Sequence, residues 1–305
     1  MTRSSCRWAL LSLACACMAM PANAMIVNGP AGSGVTTDWD GVGALIPHTG
    51  FSPATATLID TTHVLTAAHA VYNSQTGGAV AFNAFTFDLA GASYDIANIV
   101  FPTGYDGSSN QDIAVITLKT AVTGHTTYHY NTGSITETSE PTTLVGYGAG
   151  GDGTNGENPA AFPFGTRRAA VNAIDQNTDQ NQNVPGAGTL PRGLLVYDFD
   201  NASTGTNGPL GGPAIAPNEG DTTNGDSGGP MFQLDPTTNQ YLITGITSDG
   251  TDPLEHFGDI SWGTRVSDYA TFIAANVPEP ISLAPILLAL PFLRKRRAAV
   301  SPPQS

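Results

Sequence analysis

The apolar residues of this chain fall in short runs broken by Gly, Pro, Asn and Ser, with no sustained helical period and no repeat. From Asp38 onward that rhythm predicts an all-β fold. Thr55-Ala56-Thr57-Leu58-Ile59-Asp60 and Val64-Leu65-Thr66 predict a hairpin that delivers the chain to His69. Ala81 to Leu89, Tyr94 to Phe101 and Asp112 to Leu118 read as further strands, the last rich in β-branched residues. Gly133 to Pro141 reads as a crossing into a second half, whose strands are Thr143 to Gly148, Leu194 to Phe199, Met231 to Leu234 and Tyr241 to Ser248. Gly150 to Pro163 and Asp175 to Gly188 read as polar surface loops, and Gly205 to Gly220 as a longer one. Thr264 to Tyr269, with Phe272 and Ile273, has apolar residues at helical spacing and stops before Pro278, so a short helix closes the body.

The two ends differ from this body. Arg3 and Arg7, the apolar run Trp8 to Met20 and the small-residue site Ala22-Asn23-Ala24 have the make-up of a secretory signal peptide over residues 1–24, to be removed by signal peptidase. All three cysteines, Cys6, Cys15 and Cys17, lie inside it, so the exported chain is expected to carry no disulfide. A lipoprotein reading of Cys15 is weakened by Ser12, where a leucine is wanted. The remaining roughly 250 residues suffice to bury about three quarters of their extended surface without cross-links. All 25 acidic residues lie between residues 25 and 280, against only Lys119, Arg167, Arg168, Arg192 and Arg265. That imbalance favours solubility and argues against a nucleic-acid partner. The loop acids fit no EF-hand spacing, so no metal is assigned to them.

The candidate chemistry sits in Gly225-Asp226-Ser227-Gly228-Gly229-Pro230. A serine hydroxyl is a weak nucleophile at neutral pH and needs a base for its proton and donors for the oxyanion. Glycines beside Ser227 let the backbone turn sharply, so that the amides of Gly225 and Ser227 can converge. His69 supplies a base and Asp112 a carboxylate to orient it, and neither needs a metal or an organic cofactor. The segment also fits Gly-x-Ser-x-Gly, the nucleophile elbow of α/β-hydrolases, but that elbow needs a helix after the serine and the order Ser, Asp, His. Here Gly228-Gly229-Pro230 is a poor helix start and the order is His, Asp, Ser.

Thr66-Ala67-Ala68-His69, Asp112-Ile113-Ala114-Val115 and Gly225-Asp226-Ser227-Gly228-Gly229-Pro230 together resemble the three landmark motifs of the chymotrypsin/trypsin family of serine endopeptidases. The resemblance implies two antiparallel six-stranded β-barrels, about 25–135 and 140–265, with a closing helix over 266–276. It also implies a His69, Asp112, Ser227 triad, an oxyanion hole at Gly225 and Ser227, and protein or peptide substrates. Asp221, six residues before Ser227, matches the floor of the family's primary pocket and implies a preference for Arg or Lys. The plainer alternative makes Asp221 the start of an exposed polar loop. Ser248 and Gly250 match the edge strand that pairs with substrate, where Asp249 replaces the usual tryptophan. Met25-Ile26-Val27-Asn28-Gly29 resembles the family's mature start, which implies an ion pair between a freed Ile26 ammonium and Asp226 once Met25 is trimmed. Relatives from vertebrates carry cysteines beside the histidine and serine; Ala70 and Thr223 stand nearest those positions.

Val277-Pro278-Glu279-Pro280, the apolar run Ile281 to Leu293 and Arg294-Lys295-Arg296-Arg297 resemble the PEP-CTERM sorting signal of Gram-negative bacteria, over 277–297 with a tail at 298–305. As a helix the run spans about 20 Å, short for a stable crossing. The resemblance implies transient inner-membrane association, cutting by an exosortase-type enzyme, and a destination in the periplasm, envelope or medium; an ordinary anchor is the alternative. Two other classes stand beside the endopeptidase: a serine esterase on another fold, and a catalytically idle adhesin on a protease scaffold.

Overall fold

The computed structural model describes residues 25–278, apart from 29–33, 49, 109–110, 139–140, 202–203, 206–207 and 212–218. The segment read as a signal peptide, and the sorting segment from residue 279 on, lie outside the described residues. Six antiparallel strands close the first barrel in the order Val42–Pro47, Ala54–Leu58, His63–Thr66, Ala114–Leu118, Ala92–Val100, Phe85–Leu89 and back to Val42–Pro47. Phe85-Thr86-Phe87-Asp88-Leu89 alternates buried and half-buried, as a strand with one face on a core must. Phe85, Phe87, Leu45, Leu58, Val64 and Ile116 fill the interior. Phe87 lies over Gly43, where a Cβ would meet its ring at 2.5 Å. The strand expected over Ala81 to Leu89 begins only at Phe85. Before it, Phe82–Ala84 forms a 3-10 turn, because Asn83 suits a turn better than a ladder and Phe82 is 45% exposed.

The second half is one curved eight-stranded sheet. Its main path runs Arg168–Ala173, Pro141–Gly146, Pro230–Asp235, Gln240–Gly250, Ile260–Arg265, Leu194–Asp198, Gln176–Asn177, with His129–Tyr130 added in parallel to Gln240–Gly250. Pairing among the described residues leaves this sheet open, so the second expected barrel is a half-barrel. The helix arrives where expected, as a 3-10 turn Val266–Tyr269 followed by α-helix Ala270–Asn276, and buries Ile273.

Two loop assignments are corrected. Gly150–Asp152, expected on the surface, pairs in parallel with Met25–Val27, which also pairs antiparallel with Gly220–Asp221. The chain start therefore packs with the second half, not with the first barrel. Glycine makes this approach possible: a Cβ on Gly151 would strike the Gly156 carbonyl. Within Asp175 to Gly188, Gln176–Asn177 joins the main sheet and Gln182–Val184 forms a hairpin with Gly188–Leu190 that buries Val184.

The two halves meet over one apolar seam: Leu65, Ala67, Ile113 and Val115 from the first, Val145, Ile243, Ile246, Val266 and Ile273 from the second. Trp39 stacks on Phe232 at 4.5 Å and meets Tyr241 edge-on at 4.8 Å beside it. Phe87→Ala empties the centre of the first barrel, and urea unfolding is expected to show a loss of about 3–5 kcal/mol.

Candidate active site

The strand His63–Thr66 ends at the seam, and the fully buried Ala67 and Ala68 lead into a 3-10 turn, His69–Val71. Small residues here let the turn press against the barrel while the His69 side chain, 36% exposed, faces outward. Asp112 sits just before strand Ala114–Leu118, itself paired with His63–Thr66, and this brings the carboxylate beneath the imidazole. Its Oδ2 meets His69 Nδ1 at 2.7 Å and accepts the Ser248 hydroxyl at 2.6 Å; its Oδ1 accepts the His69 amide at 2.8 Å and the Tyr105 hydroxyl at 3.3 Å. Burial works to raise the carboxyl of Asp112, yet the His69 and Ser248 interactions hold it below its ordinary value. For His69 burial works downward, and the hydrogen bond and charge of Asp112, with the charge of Asp249, more than offset it, so the imidazole is raised above 6.5.

Ser227 lies in a tight loop whose conformation depends on glycine. Gly225 has φ +98° and Gly228 φ +83°, and a Cβ on Gly228 would strike Thr66 Oγ1. The amides of Asp226, Gly228 and Gly229 donate to Thr223, Thr247 and Asp226 carbonyls at 2.7–2.9 Å. Those of Gly225 and Ser227 have no acceptor among the described residues and remain free to bind an anion. Thr55 ties the loop to the first barrel, its amide donating to Ser227 O at 2.9 Å and its hydroxyl to Gly225 O at 2.9 Å.

His69, Gly225 and Ser227 line one cleft of about 630 Å³ with Phe51, Pro53 and Phe164. His69, Asp112, Ser227 and Ser248 also share a smaller hollow of about 250 Å³. The imidazole and the serine face the same space but share no hydrogen bond among the described contacts, a common state before substrate tightens a site. A sequence model of the trypsin family matches residues 39–273, a span that contains His69, Asp112 and Ser227.

The chain belongs to the trypsin family.

Its domain is therefore that of a serine protease of the chymotrypsin/trypsin type, a class whose substrates are proteins. No curated protein matches the chain. Among the described residues, no group of three or more His, Cys, Asp or Glu side chains is arranged to hold a metal ion.

Around this trypsin-family centre the other expected site residues take different places. Asp226 is fully buried beneath the serine loop: Oδ1 accepts the Gly148 amide at 2.7 Å, and Oδ2 accepts the Thr223 amide at 2.9 Å and its hydroxyl at 3.2 Å. Burial still pushes its carboxyl up to about 6, against those bonds and the charge of Arg168. Arg168 is itself wholly buried, donating to the carbonyls of Gly148 at 3.1 Å and Thr166 at 3.0 Å. Ile26 is not set against Asp226; it pairs with Asp221 in the three-strand meeting at the chain start, while the Met25 nitrogen donates to Ala149 O at 3.0 Å. The Thr223 hydroxyl reaches that same carbonyl at 2.5 Å.

Ser248 and Gly250 lie on strand Gln240–Gly250, where a register shift between Thr247 and Asp249 lets Ser248 turn to Asp112. Both line a polar pocket of about 60 Å³ next to Ser227, with Thr222, Glu255 and Ser261. Asp221 is absent from that lining and fully buried behind it, not at the start of an exposed loop. Arg168, Tyr105 and Glu255 are the residues that the sequence reading missed. The first two had only their proximity along the chain to Gly148 and Asp112 to betray them, and Glu255 had no signal at all.

The raised imidazole can be observed directly. Its charged form is favoured by the fold, so this stabilisation is complete below pH 6.5 and fades as pH climbs through the raised value. Proton NMR of the His69 ring should show a midpoint above 6.5, and Asp112→Asn should bring it down; an unmoved midpoint would break the link between them.

Proposed function

We propose that the chain is an exported serine endopeptidase that hydrolyses peptide bonds through an acyl-enzyme. The observation that carries this reading is the 2.7 Å bond from His69 Nδ1 to the buried Asp112, at a cleft whose other wall is Ser227. Ser227 Oγ attacks the carbonyl carbon while His69 Nε2 takes its proton; the imidazolium then protonates the leaving amine. Asp112 keeps Nδ1 protonated and balances the charge that the ring acquires. The amides of Gly225 and Ser227 receive the oxyanion, and water, deprotonated by His69, then releases the acyl group. The edge of strand Gln240–Gly250, at Ser248 and Gly250, holds the peptide by main-chain hydrogen bonds.

Asp221, an acidic group buried behind the polar pocket next to Ser227, supports a preference for Arg or Lys. Export follows from the leader at residues 1–24 and its removal by signal peptidase, with sorting through the membrane by an exosortase-type enzyme acting on residues 277–297. The fold removes the rival esterase on a different architecture. An idle scaffold is distinguished by reactivity: a fluorophosphonate should label Ser227, and failure to do so favours the scaffold.

Ser227→Ala should lower peptide hydrolysis by about 10⁶-fold with the circular dichroism unchanged. The proposed Ile26–Asp226 pair has its own test. With residues still attached before Met25, the fold keeps a proton on Asp226 up to about pH 6 that the unfolded chain releases near 3.8, so stability falls as pH rises through that window. A freed ammonium beside Asp226 should abolish that fall. Urea unfolding at pH 4 to 7 of extended and processed chains measures it, and N-terminal sequencing of active enzyme that reads Met25 overturns the Ile26 assignment.

A further inference from the structure

The small pocket next to Ser227 contains a carboxylate that the reaction does not use. Glu255 lines it with only 9% of its surface exposed, in a loop held by its amide bond to Asp252 O at 3.2 Å. Its φ of +51° is an uncommon conformation for a residue with a Cβ, and it belongs to a backbone that carries the side chain inward. Glu255 Oε2 has no hydrogen-bond partner among the described residues. Behind the pocket wall, Asp221 spends Oδ1 on the Thr222 amide at 2.7 Å, and the hydroxyls of Ser261 and Tyr197 lie against its carboxyl. A buried, unpartnered carboxyl oxygen lining a pocket, with a second carboxyl buried behind its wall, is costly unless something arrives to meet it.

The surroundings say what kind of group that is. The charges felt by Glu255 come from Asp221, Glu157, Asp259 and Asp226, and the largest felt by Asp221 comes from Asp259, with Tyr197 also against it. Every one of these carboxyls is acidic, and no Lys or Arg is among them. Asp259 is already occupied, accepting the amides of Thr251 at 3.1 Å and Asp252 at 2.7 Å. The hydroxyl-bearing Thr222, Ser248 and Ser261 complete a polar wall. The hydroxyl, amide and carboxyl groups of this lining suit the cationic end of a side chain and give an aromatic ring little apolar surface.

We propose that Glu255 determines specificity: with Asp221 it forms a two-carboxylate receptor for the cationic end of a lysine or arginine side chain at the cleavage site. This rests on the endopeptidase reading and deepens it. In the empty enzyme, burial first and then the neighbouring charges raise both groups, and Glu255, pushed up to about 10, holds its proton at neutral pH. An entering ammonium stabilises the carboxylate form, and a proton leaves the carboxyl for the buffer as the cation docks.

The test compares kcat/KM for peptide anilides with Lys, Arg, Leu or Phe at the cleaved position, in the wild type and in Glu255→Gln. The expected result is a wild type that favours Lys and Arg, and a variant that loses at least about tenfold more on those two than on Leu. Calorimetry of butylammonium binding to the wild type, in two buffers of different ionisation heat, should show proton release near neutral pH; a merely structural Glu255 would release none. Preference for Phe or Leu, equal losses on all four substrates, or binding without proton release each overturns the proposal. Fluorophosphonate labelling of the wild-type serine runs alongside. Its absence sinks the endopeptidase reading itself, whereas labelling without cationic selectivity sinks only the assignment of Glu255.

Discussion

The buried carboxylate of Asp112 is the interaction on which the cleft depends. A charge placed at 1% exposure is tolerable only if its oxygens are filled, and the donors here come from both halves of the molecule. His69 and Tyr105 belong to the first barrel; Ser248 belongs to the second half, and Thr264 from that half donates to the Asp112 carbonyl at 2.8 Å. The same residues that neutralise Asp112 therefore fix how the halves meet. Any slip of the apolar seam formed by Leu65, Ile113, Ile243 and Ile246 would strand the carboxylate, which makes packing and site geometry one property.

Three other buried acids show how differently the fold treats the same functional group. Asp112, with four donors on its oxygens, is held ionised below its ordinary value. Asp226, with two amides, one hydroxyl and a neighbouring Arg168, is left only partly compensated against its burial, at about 6. Burial first, and then the charges of acidic neighbours, push both Asp221 and Glu255 up, and Glu255 keeps one oxygen without a partner among the described residues. The series is ordered by the number of donors that each carboxylate finds inside the protein.

Much of this was readable from local sequence, because the pieces involved are locally encoded. The hairpin ending at His69 and the strand opened by Asp112 each follow from a single run of side chains, and the serine loop follows from glycines that have to be where they are. The features that were not legible all depend on distant segments meeting. Met25–Val27 finds Gly150–Asp152 through glycine backbones that carry no apolar signal, so a loop assignment was the natural reading. Arg168 looks like any strand residue until its partner strand delivers it beneath Gly148, and Glu255 sits among Pro253-Leu254-Glu255-His256 with no pattern to mark it. The open second sheet was also hidden, since strand count does not reveal whether an edge closes.

The cysteine-free body raises the question of what replaces covalent staples around such a site. At Thr223, next to where relatives carry a cysteine, a hydroxyl takes over: it bonds Ala149 O at 2.5 Å and Asp226 Oδ2 at 3.2 Å, joining the serine loop to the chain start. Thr55 does the same toward the first barrel, donating to Gly225 and Ser227 carbonyls while its hydroxyl accepts the Tyr147 amide at 3.1 Å. Each such bond is worth only about 1 kcal/mol net, less than the 2–4 typical of a disulfide. Their strength lies in burial: Thr55 is fully buried and Thr223 nearly so, and breaking either set leaves unmatched polar groups inside the protein. The loop around Ser227 is thus fixed by the cost of leaving its donors and acceptors unpaired, a constraint that acts in the folded state, where a cross-link would act mainly on the unfolded one.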